Sequence, residues 1–367
     1  MAAVQGKGFF IWKIRDCEGG NPKSIATVAQ TSGLSFVPIK IADGTGTYNY
    51  DTARAMDLVP AVRDELRARG IQVWGWHYIY GADPMGEARR AIQRLNELNL
   101  DGYIIDAESE FKESGKATAA SQFMTQMRAA FPSLPMALSS FRYPDYHSAF
   151  PWKVFLEKCD YNMPQVYWEQ SHNAADQLVM SVNQFKKYAP FRPILPVGPG
   201  YKTGGWAPTE SDITAFLKKA EELGLSAASF FSWDECKRDL PNIWKTVAGY
   251  IWSGQSGNET VRKLVEAMNA HDPNQVVNLY TPNAVRITSS RTLQGAENIR
   301  NWYASFFNST LPNATFTITS MSGTANSRRF TWQATSTRGQ VLNGNDTLGL
   351  IQDKINYHYS YFTVTTG

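Results

Sequence analysis

Two carboxylic acids that stand two residues apart, Asp106 and Glu108, are the residues of this chain best suited to acid and base chemistry. They close the segment Asp101-Gly-Tyr-Ile-Ile-Asp-Ala-Glu108, which has the pattern of a strand that runs into a loop. Since side chains alternate along a strand, this spacing places both acids on one face. Neighbouring carboxyl groups drive their pKa values apart, which provides the proton donor and the ionised group that cleavage of a glycosidic bond requires.

The same two acids also fit a purely structural role. Asp106 would then cap the turn after the strand, and Glu108 would form an ion pair with Lys112 or Lys116. Because ion pairs of this kind also collect at strand ends, the motif alone leaves both interpretations open.

Other residues at predicted strand ends would form a binding cleft around the two acids. Gln165 and Tyr167 share a strand face and would hydrogen-bond an N-acetyl group or a developing negative charge. Trp233, which precedes Asp234, would form an apolar floor beneath a sugar ring. For each aromatic residue, packing in the core is the alternative interpretation.

His77 and Asp43 complete the set of substrate-binding candidates. His77 alternates with Trp76 along the third predicted strand, and Asp43 ends the second strand before a glycine-rich turn. A structural histidine and a turn-forming aspartate are the alternatives. No metal or cofactor is expected, because the histidines are too scattered for a ligand cluster and no glycine-rich phosphate loop follows the first strand.

Short strand-like runs alternate with longer helical patterns between residues 8 and 252, as in a parallel sheet covered by helices. The runs are residues 8–14, 36–41, 72–79, 102–107, 136–141, 161–168, 194–199 and 227–233. Eight such units favour closure into a (β/α)8 TIM barrel, whose active sites lie at the carboxyl ends of the strands. Asp106 and Glu108 would lie there, at the end of the fourth strand.

A short run rich in glycine and serine, residues 253–258, predicts a flexible connector. We therefore place the barrel at residues 1–253, a linker at 254–257 and a second domain at 258–367. The second domain begins with predicted helices at 259–270, 276–280 and 296–307 and continues with strands at 316–321, 330–335, 347–352 and 355–364. Helices followed by an antiparallel sheet are typical of an α+β fold.

The strand that carries the two acids resembles that of the family 18 chitinases, whose motif runs Asp-Gly-x-Asp-x-Asp-x-Glu. Asp101-Gly102 and Asp106-Ala-Glu108 match this motif, whereas Ile104 stands where that family has a further aspartate. The resemblance implies that Glu108 protonates the leaving oxygen. It also implies that Asp106 supports the substrate's acetamido group as this group attacks the anomeric carbon.

A second resemblance covers roughly the first third of the chain. Three segments look like the second, third and fourth strands of the family 25 lysozymes: Phe36-Val-Pro-Ile-Lys-Ile-Ala-Asp-Gly44, Val73-Trp-Gly-Trp-His-Tyr78 and Ile105-Asp-Ala-Glu108. Those enzymes carry an aspartate on the first strand, where this chain has Phe10-Ile-Trp-Lys13. Both families treat sugars that bear an N-acetyl group, so the resemblances imply a hydrolase acting on peptidoglycan or chitin.

The second domain resembles the SnoaL-like and nuclear transport factor 2-like cone. The resemblance rests on the phrases Ala270-His-Asp-Pro273, Leu279-Tyr-Thr-Pro282 and Gly295-Ala-Glu-Asn-Ile-Arg300. It implies a small-molecule pocket, a ligand-binding module or a dimer surface. The interior candidates, which core packing also explains, are His358, Asp346, Trp302, Trp332 and Tyr357. We expect the last two strands to associate with another copy, since their alternating aromatic residues need cover.

The composition argues against two classes of partner. A formal net charge of +3 is too small to predict binding to nucleic acid or to anionic lipid. No run of about 18 apolar residues occurs, so we expect a soluble protein without a membrane-inserted segment. The first ten residues do not show an export signal. The compartment stays open, because a protein that is secreted or acts on a cell wall has its export signal removed.

Two functions therefore follow from the sequence. The first is a glycoside hydrolase that cleaves N-acetylated polysaccharide by acid catalysis with substrate assistance. The second is a non-catalytic carbohydrate-binding barrel with a C-terminal ligand-binding or dimerisation module. Ile104 and the missing first-strand aspartate favour the second, and the acid pair favours the first.

Overall fold

The computed structural model describes residues 4–322, 327–351 and 353–365, with the backbone alone for residues 253–259. The chain divides into two compact units, Met1–Tyr250 and Ile251–Gly367. The first is a (β/α)8 barrel and the second an α+β cone, so the predicted fold class is confirmed. Among the described residues, no helix has the length and apolar character that crossing a membrane requires.

Eight parallel strands form the barrel, and each pairs with the next one along the chain. The first strand pairs with both the second and the eighth, which closes the sheet into a cylinder. The strands are β1 (Gly6–Phe9), β2 (Leu34–Asp43), β3 (Gln72–Ile79), β4 (Gly102–Ala107), β5 (Met136–Phe141), β6 (Tyr161–Gln165), β7 (Val197–Pro199) and β8 (Ala227–Phe231).

Helices connect the barrel strands. They are α1 (Pro22–Thr31), α2 (Val59–Arg67), α3 (Pro84–Leu98), α4 (Lys116–Ala130), α5 (Trp152–Leu156), α6 (Ala174–Phe185), α7 (Glu210–Glu222), α8 (Trp233–Asp239) and α9 (Pro241–Gly249). The start of α7 shows why a helix forms there. The Thr209 side chain accepts a hydrogen bond from the Asp212 N–H while the Asp212 side chain accepts one from the Thr209 N–H, a capping box that satisfies two otherwise free donors.

Large apolar side chains fill the inside of the barrel. Phe36, Trp74, Trp76 and Ile104 are all buried there in one cluster. The Trp74 ring packs so closely on Gly102 that an added Cβ would lie 2.4 Å from it, which explains the glycine at the start of β4. Because the interior is filled, polar side chains gather at the strand ends.

Three barrel strands, β3, β4 and β5, have the predicted bounds, whereas β6 and β8 end earlier than predicted. The reason is their common neighbour β7, which has only three residues, Val197–Pro199. The pairing of β7 with β8 ends at Pro199, which pairs with Phe231. The pairing of β7 with β6 consists of Val197 and Gln165 alone. Beyond these positions β7 offers neither neighbour a pairing partner. Residues 232–233 and 166–168 therefore leave the strand conformation.

Among the described residues, the cone combines three α-helices, a short π-helix (Phe306–Thr310) and a six-stranded sheet. Its elements are α10 (Ser253–Asn269), α11 (Pro273–Val277), β9 (Tyr280–Ile287), β10 (Thr292–Gln294), α12 (Ala296–Ser305), β11 (Thr315–Ser322), β12 (Ser327–Ser336), β13 (Gly339–Ile351) and β14 (Lys354–Tyr361). The strand order is β10-β9-β14-β13-β12-β11. β9 runs parallel to β14, and the other pairs are antiparallel.

Two features of the cone differ from the sequence prediction. Residues 254–257 were predicted as a flexible linker but belong to helix α10. The helix therefore begins before the two glycines and continues through them into its amphipathic part. The two glycines cost only about 1 kcal/mol each, which a packed helix tolerates. Strand β9 was not predicted because Pro282 interrupts its pattern, yet the pairing with β14 shifts register there and accommodates the proline. Gln352, the predicted end of a strand, lies outside the described residues.

Candidate functional site

The carboxyl ends of neighbouring strands bring four polar side chains to the same height at one mouth of the barrel. They are Asp43, Tyr78, Asp106 and Ser139, which are paired in register across β2 to β5. Glu108 follows β4 directly and Gln165 ends β6. The barrel thus collects residues that are far apart in sequence, as expected for an active site at this end.

A cavity of about 150 Å³ opens among these residues. Its polar lining consists of Asp106, Glu108, Ser139, Gln165, Tyr167 and Tyr201, and its apolar lining of Phe10, Val197 and Phe231. A larger hollow of about 550 Å³ lies beside the segments that precede β4 and β5, at the opposite end of the strands. We place the candidate site in the smaller cavity because the acid pair lies there.

A single side-chain amide connects the two acids. Nε2 of Gln165 donates to Oδ1 of Asp106 at 3.0 Å and to Oε1 of Glu108 at 2.9 Å. The same nitrogen lies 3.3 Å from Oγ of Ser139. Because the amide carries no charge, it orients both carboxyl groups without neutralising either of them.

The surroundings of the acid pair favour its protonated form. Burial raises the pKa of Asp106 well above its usual value, and the charge of Glu108 raises it further. Burial also raises the pKa of Glu108, against the lowering effect of the hydrogen bond from Gln165. Two carboxyl groups in such surroundings ionise one after the other, and the loss of the second proton is the harder of the two steps.

Tyr167 provides a hydrogen-bond donor at the cavity wall. Its ring meets Tyr201 edge to face, with 5.4 Å between ring centroids. Its hydroxyl makes no hydrogen bond to another described residue. Burial, together with the charges of Tyr201, Asp106 and Glu108, raises its pKa well above 10, so the hydroxyl stays protonated and can donate to a ligand oxygen.

Asp43 lies at the height of the acid pair but outside the cavity lining. Its Oδ2 accepts a hydrogen bond from Nζ of Lys40 at 2.5 Å, and its Oδ1 accepts one from the Tyr80 hydroxyl at 2.8 Å. Burial would raise the pKa of Asp43, but these two hydrogen bonds hold it below its usual value. Asp43 is therefore a fixed carboxylate beside the site.

Trp233 and Asp234 do not line the cavity, in contrast to the sequence prediction. β8 ends at Phe231, and the Phe231 side chain lines the cavity in the place predicted for Trp233. Trp233 opens helix α8, where it is fully buried 4.7 Å from the ring of Trp244. Asp234 is buried in the same turn, and burial raises its pKa.

His77 is a structural residue. Its Nδ1 accepts a hydrogen bond from the Tyr103 hydroxyl at 2.8 Å, and its Nε2 donates to the Gly44 carbonyl at 2.7 Å. Complete burial lowers its pKa to about 4, so the ring is neutral and both nitrogens are satisfied. It ties the turn after β2 to the strands β3 and β4 and does not line the cavity.

The structural alternative for Glu108, an ion pair with Lys112 or Lys116, is not formed. Nζ of Lys116 donates to the carbonyls of Tyr80 and Gly81 at 2.9 and 3.0 Å. The Lys112 ammonium group lies 4.1 Å from the centre of the Phe141 ring. In the part of the chain that the structure describes, no three His, Cys, Asp or Glu side chains assemble as a metal site would require.

Several cavity residues were missed in the sequence: Phe10, Ser139, Val197, Tyr201 and Phe231. Aligning the runs 102–107 and 136–141 end to end places Ser140 beside Asp106, but the actual register is shifted by one residue, so Ser139 lies there instead. Another missed residue, Glu110, accepts hydrogen bonds from the Tyr78 hydroxyl at 3.0 and 3.1 Å. No signal pointed to Tyr201, which lies in a loop after β7.

The interior of the cone holds a buried polar network. Nε2 of His358 donates to Oδ2 of Asp346 at 2.7 Å, and Nε1 of Trp332 donates to Oδ1 at 3.0 Å. Trp302 packs, partly buried, against the same core. Tyr357 was predicted inside but is exposed, because it alternates with the buried His358 along β14 and faces the other side.

Comparison with known proteins identifies the second domain. A family model of the SnoaL-like domain matches residues 261–358. The search of curated proteins found no match. Both the family match and the element order establish a SnoaL-like cone for this part of the chain, and the first unit has the architecture of a TIM barrel.

Similar solved structures also match about a third of the chain. An NTF2-like protein of unknown function from Cytophaga hutchinsonii is 12% identical, with 29% of this chain and 89% of that chain covered at a TM-score of 0.26. A putative ketosteroid isomerase from Kribbella flavida is 10% identical, with 31% and 83% covered at a TM-score of 0.28. An LEH-like epoxide hydrolase from M. tuberculosis is 10% identical, with 30% and 84% covered at a TM-score of 0.27.

Proposed function

We propose that the barrel is a glycoside hydrolase that cleaves N-acetylated polysaccharide of the peptidoglycan or chitin type. The observation that carries this proposal is the pair Asp106 and Glu108, held by the amide of Gln165 inside a cavity at the carboxyl ends of the strands. Burial favours the protonated form of both acids, and an acid that stays protonated near neutral pH is what the cleavage of a glycosidic bond requires.

The resemblance to the family 18 chitinases implies the roles of the residues in this proposal. Glu108 donates its proton to the glycosidic oxygen as the bond to the anomeric carbon breaks, and the substrate's acetamido oxygen forms a new bond to that carbon. Asp106 stabilises the positive charge that develops on the acetamido group. Water then attacks the anomeric carbon, the bond between this carbon and the acetamido oxygen breaks, and the water gives a proton to Glu108. The hydroxyl of Tyr167 donates to the acetamido oxygen before it attacks.

A second candidate function, carbohydrate binding without catalysis, has its own support. The cavity of about 150 Å³ is smaller than the 300–1,000 Å³ typical of ligand pockets, and the residue that follows the first strand in its lining is Phe10 rather than an acid. A binding module needs the aromatic and amide groups of this cavity but no proton donor. The two functions therefore differ in what Glu108 does.

The decisive experiment compares the parent chain with Glu108→Gln on a panel of peptidoglycan, chitin and simple β-glycans, with products identified by mass spectrometry. We expect the substitution to lower kcat about 10²- to 10⁴-fold, because it removes the transferable proton. Binding of the glycan, measured by calorimetry, should change little, because the amide keeps the shape of the side chain. Asp106→Asn should also lower turnover, most strongly on substrates that carry an N-acetyl group.

Glu113→Gln is the matched control, because it makes the same chemical change at an exposed position five residues away. It should hydrolyse glycan at the parent rate. Binding of glycan by the parent without release of any product would establish the carbohydrate-binding function instead. Hydrolysis by Glu108→Gln at the parent rate would exclude Glu108 as the proton donor.

A further inference from the structure

Lys112 places a positive charge at the rim of the candidate site without an acidic partner. It ends the short 3-10 helix Ser109–Lys112, which begins directly after Glu108. The buried Phe111 anchors this helix, because its ring packs 5.2 Å from that of Phe155. In the described part of the chain, the partly buried Lys112 ammonium group forms no ion pair and no hydrogen bond. Its charge is therefore not neutralised by these residues.

The ring of Phe141 holds this ammonium group in place. Nζ of Lys112 lies 4.1 Å from the centre of the Phe141 ring, a distance at which a cation is attracted to an aromatic face. The His147 ring stacks on Phe141 with 3.9 Å between the ring centres. One face of the ring cannot accommodate both groups at these distances, so Lys112 and His147 cover opposite faces. Burial lowers the pKa of His147, and the Lys112 charge lowers it further, so His147 is neutral at pH 7.

Phe141 borders the cavity that contains the acid pair. It is the last residue of β5 and lies two positions after Ser139, so the two share a strand face, and Ser139 lines the cavity. Phe141 also pairs in register with Gln165, whose amide contacts both acids. Neighbouring strands lie about 4.8 Å apart, so the Phe141 ring, and Lys112 with it, lie directly beside the cavity lining. A ligand that fills the cavity and extends over this rim reaches the ammonium group.

A second cation at this rim also lacks an acidic partner. Arg142 follows Phe141, and its guanidinium group lies 5.0 Å from the centre of the Tyr143 ring but forms no ion pair with a described residue. The acid nearest in sequence on the other side, Glu110, accepts two hydrogen bonds from the Tyr78 hydroxyl instead. The rim therefore offers positive charge to whatever occupies the cavity, and a carboxylate on the ligand would supply the missing partner.

We propose that Lys112 determines substrate specificity: its ammonium group binds a carboxylate on the sugar that adjoins the one at the acid pair. This inference rests on the proposed function and narrows it to acidic N-acetylated saccharides, in contrast to neutral chitin. The carboxylate belongs either to the lactyl group of N-acetylmuramic acid or to a uronic acid, and both offer the same chemistry to an ammonium group. Such charge-assisted hydrogen bonds are roughly twice as strong as those between neutral groups.

Calorimetry on the full chain tests this recognition without requiring turnover. The probes are two acidic disaccharides, in which N-acetylglucosamine is linked either to N-acetylmuramic acid or to glucuronic acid, and the neutral methyl ester of each. The parent should bind at least one acid about tenfold more tightly than its ester, because the ester removes the charge and keeps the sugar. The pair that shows this difference identifies the source of the carboxylate.

Three variants assign the preference to Lys112. Lys112→Met should abolish the difference between acid and ester, and Lys112→Arg, which keeps the charge, should retain most of it. The ratio of the two affinities is the readout. Burial raises the pKa of Glu108 and the Lys112 charge lowers it, an effect that acid and ester share and that cancels in the ratio. Lys158→Met is the matched control, because it removes a partly buried lysine between α5 and β6, at the opposite end of the strands.

Three outcomes would overturn the inference: equal affinity of the parent for acid and ester in both pairs, a preference for the acid that survives in Lys112→Met, or no binding of any of the four saccharides. Hydrolysis of glycan separates this inference from the proposed function. A parent that prefers the acid but hydrolyses nothing would refute the proposed function and leave carboxylate recognition by Lys112 intact. A parent that hydrolyses glycan but binds acid and ester equally would leave the proposed function intact and refute the inference.

Discussion

The chemistry of the candidate site depends on which side chain joins the two acids. A lysine or arginine between Asp106 and Glu108 would favour the loss of both protons, because an opposite charge stabilises carboxylates. Gln165 instead offers two N–H groups without charge, and it uses both on the acids. The acids are thus oriented by a neutral group, and burial raises the pKa of both.

Gln165→Leu should therefore lower the rate of catalysis while leaving the size of the cavity nearly unchanged. The leucine fills a similar volume but donates no hydrogen bond, so both carboxyl groups lose their common anchor. Loss of hydrogen bonds to charged groups costs about 1.5–3 kcal/mol, which corresponds to a roughly 10- to 100-fold lower kcat. Steady-state kinetics on the best glycan of the panel measures this effect. Unchanged kcat with a raised KM would show that Gln165 only binds substrate.

The sequence predicted part of this site, and its failures have physical reasons. Asp106, Glu108, Gln165 and Tyr167 were found because their strands carry clear patterns, and the structure brings these four to one cavity. Trp233 was misplaced because the alternation was followed past the last ladder partner of β8. The ion pair of Lys40 with Asp43 was missed because strand ends bend, so a spacing of three did not predict contact.

At the scale of elements, the first and last pieces of the barrel unit are joined by one buried lysine. Nζ of Lys7 on β1 donates to the carbonyls of Val247, Ala248 and Tyr250 at the end of α9, at 2.7, 3.1 and 2.6 Å. It also reaches the carbonyl of Ser32 after α1, at 3.1 Å. Carbonyls at the C-terminus of a helix lack their regular intrahelical donors, and Lys7 supplies a donor to them here. A cation there interacts favourably with the helix dipole.

Lys7→Met should destabilise the barrel by about 2 kcal/mol, because buried carbonyls at two helix ends lose their donor. The loss is moderated by the cost of burying the charge, which lowers the pKa of Lys7 to about 8. Urea unfolding followed by tryptophan fluorescence measures the difference in the free energy of unfolding. Lys23→Met, at an exposed position on α1, is the control and should change stability little. Equal stability of both variants would contradict this role of Lys7.

The strands that were predicted best are those whose neighbours on both sides are long. β3, β4 and β5 pair along most of their length, so local pattern and pairing agree. β9 contains a proline, and the first turns of α10 contain two glycines, so local propensity contradicted the final structure in both places. In each, packing of the surrounding cone decided the outcome, and a single sequence carries little information on such long-range packing.

At the scale of the whole molecule, the outer face of the cone sheet presents a row of aromatic rings. Tyr357, Tyr359 and Tyr361 alternate along β14 with buried residues and are 39%, 40% and 46% exposed. Their neighbours on β13 are Gly349, Thr347 and Asn345, which are too small to cover the rings. Exposed rings on a flat sheet are typical of a surface that associates with another protein surface. A second copy of the chain is the partner that we predict.

Tyr359→Ser, in the middle of this row, should therefore weaken self-association of the full chain. Burying one aromatic side chain at an interface contributes about 2 kcal/mol in each of two symmetric copies, so the dimer dissociation constant should rise by about two to three orders of magnitude. Sedimentation velocity over a range of protein concentrations measures this constant. Tyr146→Ser, which removes a 66% exposed ring from the barrel unit, is the matched control and should leave the constant unchanged. A parent chain that stays monomeric at the highest concentration would contradict the prediction, because the rings would then remain exposed to solvent in the stable form of the protein.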